Sequence, residues 1–335
     1  VLDLCAAPGG KSTDAASSLR EAFGDRFILV SNEVMGGRAG VLADNMALWG
    51  DPNVVVTCSD PKAFSKLSGF FDIIIADVPC SGEGMFRKDD EAVEDWSLDA
   101  VNFCAQRQRR ILADVWPALR EEGVLVYSTC TFEEAENDSN VEWVAEELGG
   151  TVVEGGLSGM EGIIPTRTGS LLVPGFVRGE GQFAAALVKT SHQNEFRNVK
   201  NARRTPAGEG GMVEKVRGGD LVVGIPEIIA GEVETLEMLR PIQTCVAMGT
   251  RKGKDFIPSA DWALSLALGE GTYPSLDVDL ATALKYLHRD AIAPGDAPKG
   301  FLTVRYEGYA LGFVKNLGNR CNNLHPQGRR IRMDV

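Results

Sequence analysis

A chain of 335 residues with 44% hydrophobic and 24% charged residues has the makeup of a globular protein, not of a disordered or collagen-like one. At about 100–200 residues per domain it is too long for one ordinary core, so two domains with a small third are expected. The formal net charge of −13 argues against a polyanionic partner only until it is divided: residues 1–150 carry 12 basic and 27 acidic side chains, residues 151–335 carry 22 and 20.

The acidity therefore belongs to the first half, and between Gly308 and Met333 the only charged residues are Lys315, Arg320, Arg329, Arg330 and Arg332, a set suited to a phosphate backbone. No secretory leader opens the chain, and no apolar run approaches the roughly 18 residues of a membrane span. A cytoplasmic protein without a membrane partner is expected. Seven cysteines, at 5, 58, 80, 104, 130, 245 and 321, form no C-x-x-C pair, and only His192, His288 and His325 could join them; neither a disulfide framework nor a metal site is expected. Val1 already lies in an apolar, strand-like stretch, so a preceding segment is expected in the natural protein.

In chain order, Val1–Leu4, Phe27–Val30, Asn53–Thr57, Asp72–Ile75 and Val124–Tyr127 are short, β-branched-rich runs of the kind buried on both faces of a parallel sheet. Helical spacing lies between them: Leu42, Met46 and Trp49; Ile111, Val115 and Leu119 ahead of Glu122-Gly123; then Val141, Val144 and Leu148. This alternation predicts a doubly wound, Rossmann-like α/β sheet, with ligands at the carboxyl ends of its strands. Phe183–Lys189 reads as its last strand. The polar stretch Thr190–Gly219 reads as a linker. Leu280, Leu284 and Leu287 then mark a helix, and Leu302–Tyr306 with Tyr309–Val314 a hairpin around Glu307-Gly308, together a small α+β module. The expected division is 1–190 for the sheet domain, 191–222 for a linker, 223–280 for an intermediate region and 281–335 for the C-terminal module.

The turn Cys5-Ala6-Ala7-Pro8-Gly9-Gly10-Lys11 joins a strand to a helix through small residues, letting a ligand approach backbone N–H groups. A phosphate loop would need glycine at position 5, where Cys5 stands, and the G-x-G-x-x-G spacing is also absent. Glu33 after the second strand is placed as a ribose-hydroxyl acceptor. Asp60 after the third could meet an adenine amino group.

Two cysteines end two strands, in Asp77-Val78-Pro79-Cys80-Ser81-Gly82 and Ser128-Thr129-Cys130-Thr131. Cytosine carbon-5 is a poor nucleophile; addition of a thiolate at carbon-6 makes an enamine that can attack a sulfonium methyl. An acid at ring nitrogen 3 would hold the base, and a base must later remove the carbon-5 proton. Asp77, Cys80 and Cys130 supply these kinds of group, but spacing alone does not say which thiol is the nucleophile.

The motifs Asp3–Lys11, Asp77–Gly82 and Tyr127–Thr131, in this order, resemble motifs I, IV and VI of the Sun-type (Fmu) RNA cytosine-5 methyltransferases. Gly82–Asp89, Arg178–Gly181 and Gly312–Arg320 are similar to the RsmF branch, which methylates small-subunit ribosomal RNA and ends in a PUA-like domain. The resemblance implies S-adenosyl-L-methionine as cofactor, contacted by Cys5, Ala6, Ala7, Pro8, Gly9, Gly10, Lys11, Glu33, Arg38, Asp60 and Asp77. It implies Cys130 as nucleophile, Cys80 as the thiol assisting breakdown of the covalent intermediate, and Asp77 against the target base. It further implies a monomer docking ribosomal RNA, or an assembling subunit, through Arg87, Lys88, Lys315, Arg320, Arg329 and Arg330. Val78 stands where the family usually has alanine, which is expected to crowd the base pocket. Transfer RNA as substrate, or a non-catalytic assembly factor, are the alternatives.

Overall fold

The computed structural model describes residues 1–157, 159–191 and 211–333. Its catalytic half is a ten-stranded mixed sheet. Strands β1 (Leu2–Asp3), β2 (Leu29–Asn32), β3 (Val54–Thr57), β4 (Phe71–Asp77) and β5 (Leu119–Thr129) are parallel. They stand in the order β3-β2-β1-β4-β5, reversing between β1 and β4. Helix α1 (Gly10–Phe23) follows β1 and α2 (Gly36–Trp49) follows β2. Short α3 (Asp90–Asp95), long α4 (Leu98–Val115) and α5 (Asp138–Trp143) accompany β4 and β5. The small strands β6 (Gly150–Val152), β7 (Ile163–Pro165) and β8 (Ser170–Leu172), with β9 (Gln182–Lys189) antiparallel to β5, close the far edge.

The parallel strands read as continuous apolar runs because both faces are covered: Leu2, Leu29, Val30, Val55 and Ile74 have no exposed surface. Leu119 was expected to close a helical face and instead opens β5. Pro117, in the one-turn helix Trp116–Ala118, has no N–H to continue the ladder of α4, so the helix ends at Val115 and the chain turns directly into the sheet. Glu122, at φ 62°, lies in the irregularity where the β4–β5 register shifts.

Part of the expected linker, 192–210, lies outside the described residues. Its remainder is corrected: Met212–Arg217 (β10) pairs with Leu221–Pro226 (β11) as an antiparallel hairpin turned by Gly218 and Gly219, both with positive φ. With β13 (Val246–Lys252) and β14 (Asp255–Pro258) they form a second sheet of four strands. Between β11 and β13 lie α6 (Ala230–Leu236) and β12 (Gln243–Thr244), and β12 pairs with β3 to extend the catalytic sheet. Val223, Ile225, Val233 and Leu236 share one apolar cluster with Val55 and Phe64, so this middle region is packed into the catalytic core.

Helix α7 (Ala260–Leu264) precedes the last module, in which β15 (Ser275–Asp277), β16 (Gly300–Tyr306), β17 (Tyr309–Asn316) and β18 (Cys321–Asn323) form a sheet beside α8 (Leu280–His288). The hairpin turn falls on Glu307 and Gly308, both at positive φ, as a tight two-residue connection requires. Among the described residues no helix is long and apolar enough to cross a membrane.

Candidate active site

The expected cofactor residues line the carboxyl edge of β1, β2, β3 and β4. The β1–α1 turn passes so close to α2 that a Cβ on Gly9 would stand 2.8 Å from Met46 Cε and 3.2 Å from Leu42 Cδ1, at a φ of 118° that favours glycine. Helix α1 has no side-chain cap, leaving its first N–H groups open for a ligand. Glu33 is buried; its Oε1 accepts from Met35 N–H (3.0 Å), and its Oε2 pairs with Arg38 Nη1 (3.2 Å). Arg38 Nη2 also donates to the Ala7 carbonyl (2.9 Å), so this arginine braces the turn against the second strand. Asp60 is exposed and accepts from Lys62 N–H (2.9 Å), capping the turn that follows β3.

Lys11 donates from α1 to Asp77 Oδ2 at the end of β4 (2.8 Å). This ion pair spans the point where strand order reverses, the usual place for a ligand in a doubly wound sheet. The Cys5 thiol is pushed up to about 12 by burial, which suits a packing role. Buried Asp3 accepts from Ser12 Oγ (2.6 Å), while its Oδ1 has no partner and desolvation lifts its carboxyl to about 6. An unpaired acid beside an open glycine turn, with an acid on each neighbouring strand end, fits a ligand carrying hydroxyls and positive charge, as S-adenosylmethionine does. Exposed Val34 and Met35 beside Glu33 offer an apolar surface that the sequence reading passed over.

Cys80 and Cys130 are brought together, with sulfurs 3.1 Å apart, and Cys130 N–H points at Cys80 Sγ (3.3 Å). The hydrogen bond from Cys80 holds the Cys130 thiol below its ordinary value, against opposition from desolvation and the Asp77 charge. The same bond, together with burial, holds Cys80 well above the thiol range. The pair is thus polarised, with Cys130 as the easier thiolate. Asp77 Oδ1 accepts from Ser128 Oγ (2.7 Å) and Gln182 Nε2 (3.0 Å), leaving one acceptor position on Oδ2 beside Lys11. Cys130 lines a cavity of about 310 Å³, together with Gly84, Glu180 and Gln182, at the lower end of small-molecule sites of roughly 300–1,000 Å³. Val78, expected to crowd this pocket, is instead buried in the apolar core, since alternation along the chain turns it inward.

Side chains that no sequence motif advertised hold the two cysteine loops. Fully buried Glu136 accepts from Gln108 Nε2 (2.6 Å) and Ser81 N–H (3.1 Å). Gln108 also donates to the Pro79 carbonyl (3.0 Å) and accepts from Asn140 (2.8 Å). On the other loop, Asn137 accepts from Thr129 Oγ1 (2.6 Å) and donates to the Thr131 carbonyl (2.9 Å). Glu83 ties the loops together by accepting from Thr131 Oγ1 (2.8 Å) and Phe132 N–H (2.7 Å).

The expected RNA contacts divide. Arg87, Lys315, Arg320 and Arg330 are exposed. Lys88 is held by Glu180 Oε1 (3.1 Å) at the cavity rim. Arg329 is corrected: its guanidinium is spent on Asp261 (2.6 Å) and Asp44 (3.1 Å) and is mostly covered, so it ties the C-terminal module to α2 and has little to offer a phosphate. Among the described residues, no group of three or more His, Cys, Asp or Glu could hold a metal ion.

Residues 1–188 match the family described as 16S rRNA methyltransferase RsmB/F, and residues 273–331 match the methyltransferase RsmF PUA domain. The ribosomal RNA small subunit methyltransferase F of Shewanella baltica is 31% identical over 354 residues, which span 98% of this chain and 72% of that protein. Its counterpart in Aeromonas salmonicida is 29% identical, with the same coverage of both chains. The crystal structure of NSun6 from Pyrococcus horikoshii is 26% identical, covering 57% of this chain and 48% of its own with a TM-score of 0.48. With a glycine turn, a ladder of strand-end acids and a polarised cysteine pair on one sheet edge, and with more than half its length matched, the chain belongs to the RsmB/F family of 16S rRNA methyltransferases.

Proposed function

We propose that this protein methylates carbon-5 of a cytosine in small-subunit ribosomal RNA, with Cys130 as the attacking thiolate. The observation that carries the reading is the pair of sulfurs 3.1 Å apart at two strand ends, of which Cys130 lines the cavity. The Cys5–Lys11 turn, Glu33, Asp60 and Asp77 would hold S-adenosylmethionine, and Arg38 braces that site. When bound, the cofactor supplies an electrophilic methyl group.

Cys130 adds to carbon-6: the S–C6 bond forms and the C5=C6 π electrons shift to carbon-5, which becomes nucleophilic. Asp77, fixed by Lys11, Ser128 and Gln182, uses its remaining acceptor position to orient the base and favour a proton at nitrogen 3. After carbon-5 has been methylated, loss of its proton to a base re-forms C5=C6 and the S–C6 electrons return to sulfur. Cys80, which keeps its proton because of its high pKa, donates a hydrogen bond to the departing sulfur and speeds release.

We further propose a division into a catalytic region 1–190, a middle region that ends before the RsmF-type PUA match, and a C-terminal RNA-docking module. The protein acts as a cytoplasmic monomer, with Arg87, Lys315, Arg320 and Arg330 facing RNA. The test is transfer of labelled methyl from S-adenosylmethionine to unmodified small-subunit RNA, followed by mapping of 5-methylcytosine. Transfer by the parent and none by Cys130→Ala supports the reading; equal transfer by the two removes it.

A further inference from the structure

Cys80 and Cys130 lie beyond the ends of different strands, yet each is gripped in the same way, through the residues on either side of it. Gln108 Nε2 donates to the Pro79 carbonyl (3.0 Å) and to Glu136 Oε2 (2.6 Å), and that oxygen also accepts from Ser81 N–H (3.1 Å). One clamp thus brackets Cys80. Thr129 Oγ1 donates to Asn137 Oδ1 (2.6 Å) and Asn137 Nδ2 donates to the Thr131 carbonyl (2.9 Å), so a second clamp brackets Cys130. The two clamps end on consecutive residues, Glu136 and Asn137, just ahead of α5.

A carboxylate in this place is costly for the fold. Glu136 and Asn137 are both buried, and desolvation raises the Glu136 carboxyl above its ordinary value, against the hydrogen bonds from Ser81 and Gln108. Removing a charge from water without an opposite charge beside it destabilises, so what the residue contributes is the placement of its donors. The Ser81 Oγ–Thr131 Oγ1 contact (2.9 Å) aligns the two loops but grips neither cysteine on both sides. A planar peptide bond joins Glu136 to Asn137 and fixes their spacing, so the 3.1 Å separation of the sulfurs is set from one point of the chain.

We infer that Glu136 and Asn137 are positioning residues with divided duties: the Glu136–Gln108 clamp aims the Cys80 thiol at the departing sulfur, and the Asn137 clamp aims Cys130 at the pyrimidine ring. This inference rests on the proposed assignment of attack to Cys130 and release to Cys80, and adds the side chains through which each is placed. Each clamp acts through one cysteine, so losing one slows one step and spares the other. Displacing a reacting group by about 1 Å can cost on the order of a hundredfold in rate.

The experiment uses the full chain, S-adenosylmethionine and two forms of small-subunit RNA. RNA containing 5-fluorocytidine cannot complete release and reports the rate constant of attachment, whereas ordinary RNA reports the decay of adduct by release. The readout is the ratio of release to attachment, which does not depend on the fraction of protein that is folded. Glu136→Ala is expected to lower this ratio by at least about tenfold. Beside Cys80→Ala it should lower the ratio no further, because a clamp acting through Cys80 then has no thiol to aim. Gln108→Ala, which removes the other limb of the clamp, should behave alike, while Glu136→Gln, whose oxygen can still accept from both donors, should keep the parent ratio. Asn137→Ala should move the ratio the opposite way by at least about tenfold, since attachment slows and release does not. If the alanine variants of 136 and 137 move the ratio in the same direction or leave it unmoved, or if the Glu136→Ala loss persists at full size beside Cys80→Ala, the inference is overturned and the methyltransferase reading stands. A parent that forms no adduct removes both.

Discussion

Among the groups that lower the Cys130 pKa, Cys80 comes first, ahead of a backbone hydrogen bond and the Lys11 charge. Because the hydrogen bond from Cys80 is the largest cause lowering its pKa, Cys80→Ala should move the rise of adduct formation with pH to higher pH, since the thiolate then forms less readily. The same variant should nevertheless accumulate adduct, because the departing sulfur loses its donor. Following trapping and release across a pH series with 5-fluorocytidine and ordinary RNA checks both parts; an unmoved profile contradicts the assigned polarity. Asp3 makes a different test. Its folded pKa of about 6 lies above the ordinary 3.8, so its contribution to stability is intact below pH 3.8 and is lost as pH rises through about 6. Asp3→Asn should therefore stabilise the cofactor-free protein by roughly 2–3 kcal/mol above pH 7 and flatten the pH dependence between about 4 and 6. Urea unfolding at acid and neutral pH measures this, and a variant less stable than the parent at pH 8 would contradict it.

At the scale of elements, the active loops are held as much by what approaches them as by their own residues. Gly84→Ala would push a methyl against the Cys130 carbonyl. Misplacement of a reacting group by about 1 Å can cost on the order of a hundredfold in rate, so the variant should lose methyl transfer on that scale while cofactor affinity holds; an unchanged turnover number would show that the loop tolerates the shift. The strands and the strand-end acids were legible because burial on both faces leaves a continuous apolar signature and because Asp77, Cys80 and Cys130 sit in compact motifs. Glu136, Gln108 and Asn140 were not legible: their roles come from contacts between segments some thirty residues apart along the chain, which no local pattern records. Strand β10 was mistaken for linker because its side chains are mostly exposed and its flanks are glycine-rich, giving it no apolar face to announce.

Across the whole molecule, charge is partitioned: an acidic catalytic half carries a C-terminal module whose exposed cations include Lys315, Arg320 and Arg330. Each of these that meets a phosphate should add about 0.7–0.9 to the slope of log affinity against log salt, so Lys315→Ala with Arg320→Ala should reduce that slope by between one and two. Arg329→Ala should leave the slope unchanged and lower the melting temperature, because its partners are Asp44 and Asp261 within the protein. Titrations at several salt concentrations, paired with thermal melts, separate the two behaviours, and a slope lost with Arg329 would return that residue to the RNA surface. The account as a whole stands on which sulfur touches the base. The direct measurement is peptide mapping by mass spectrometry of the covalent complex formed with RNA containing 5-fluorocytidine in the presence of S-adenosylmethionine. The account predicts the nucleotide on the peptide carrying Cys130, whereas a nucleotide on Cys80, or no covalent complex at all, would contradict it.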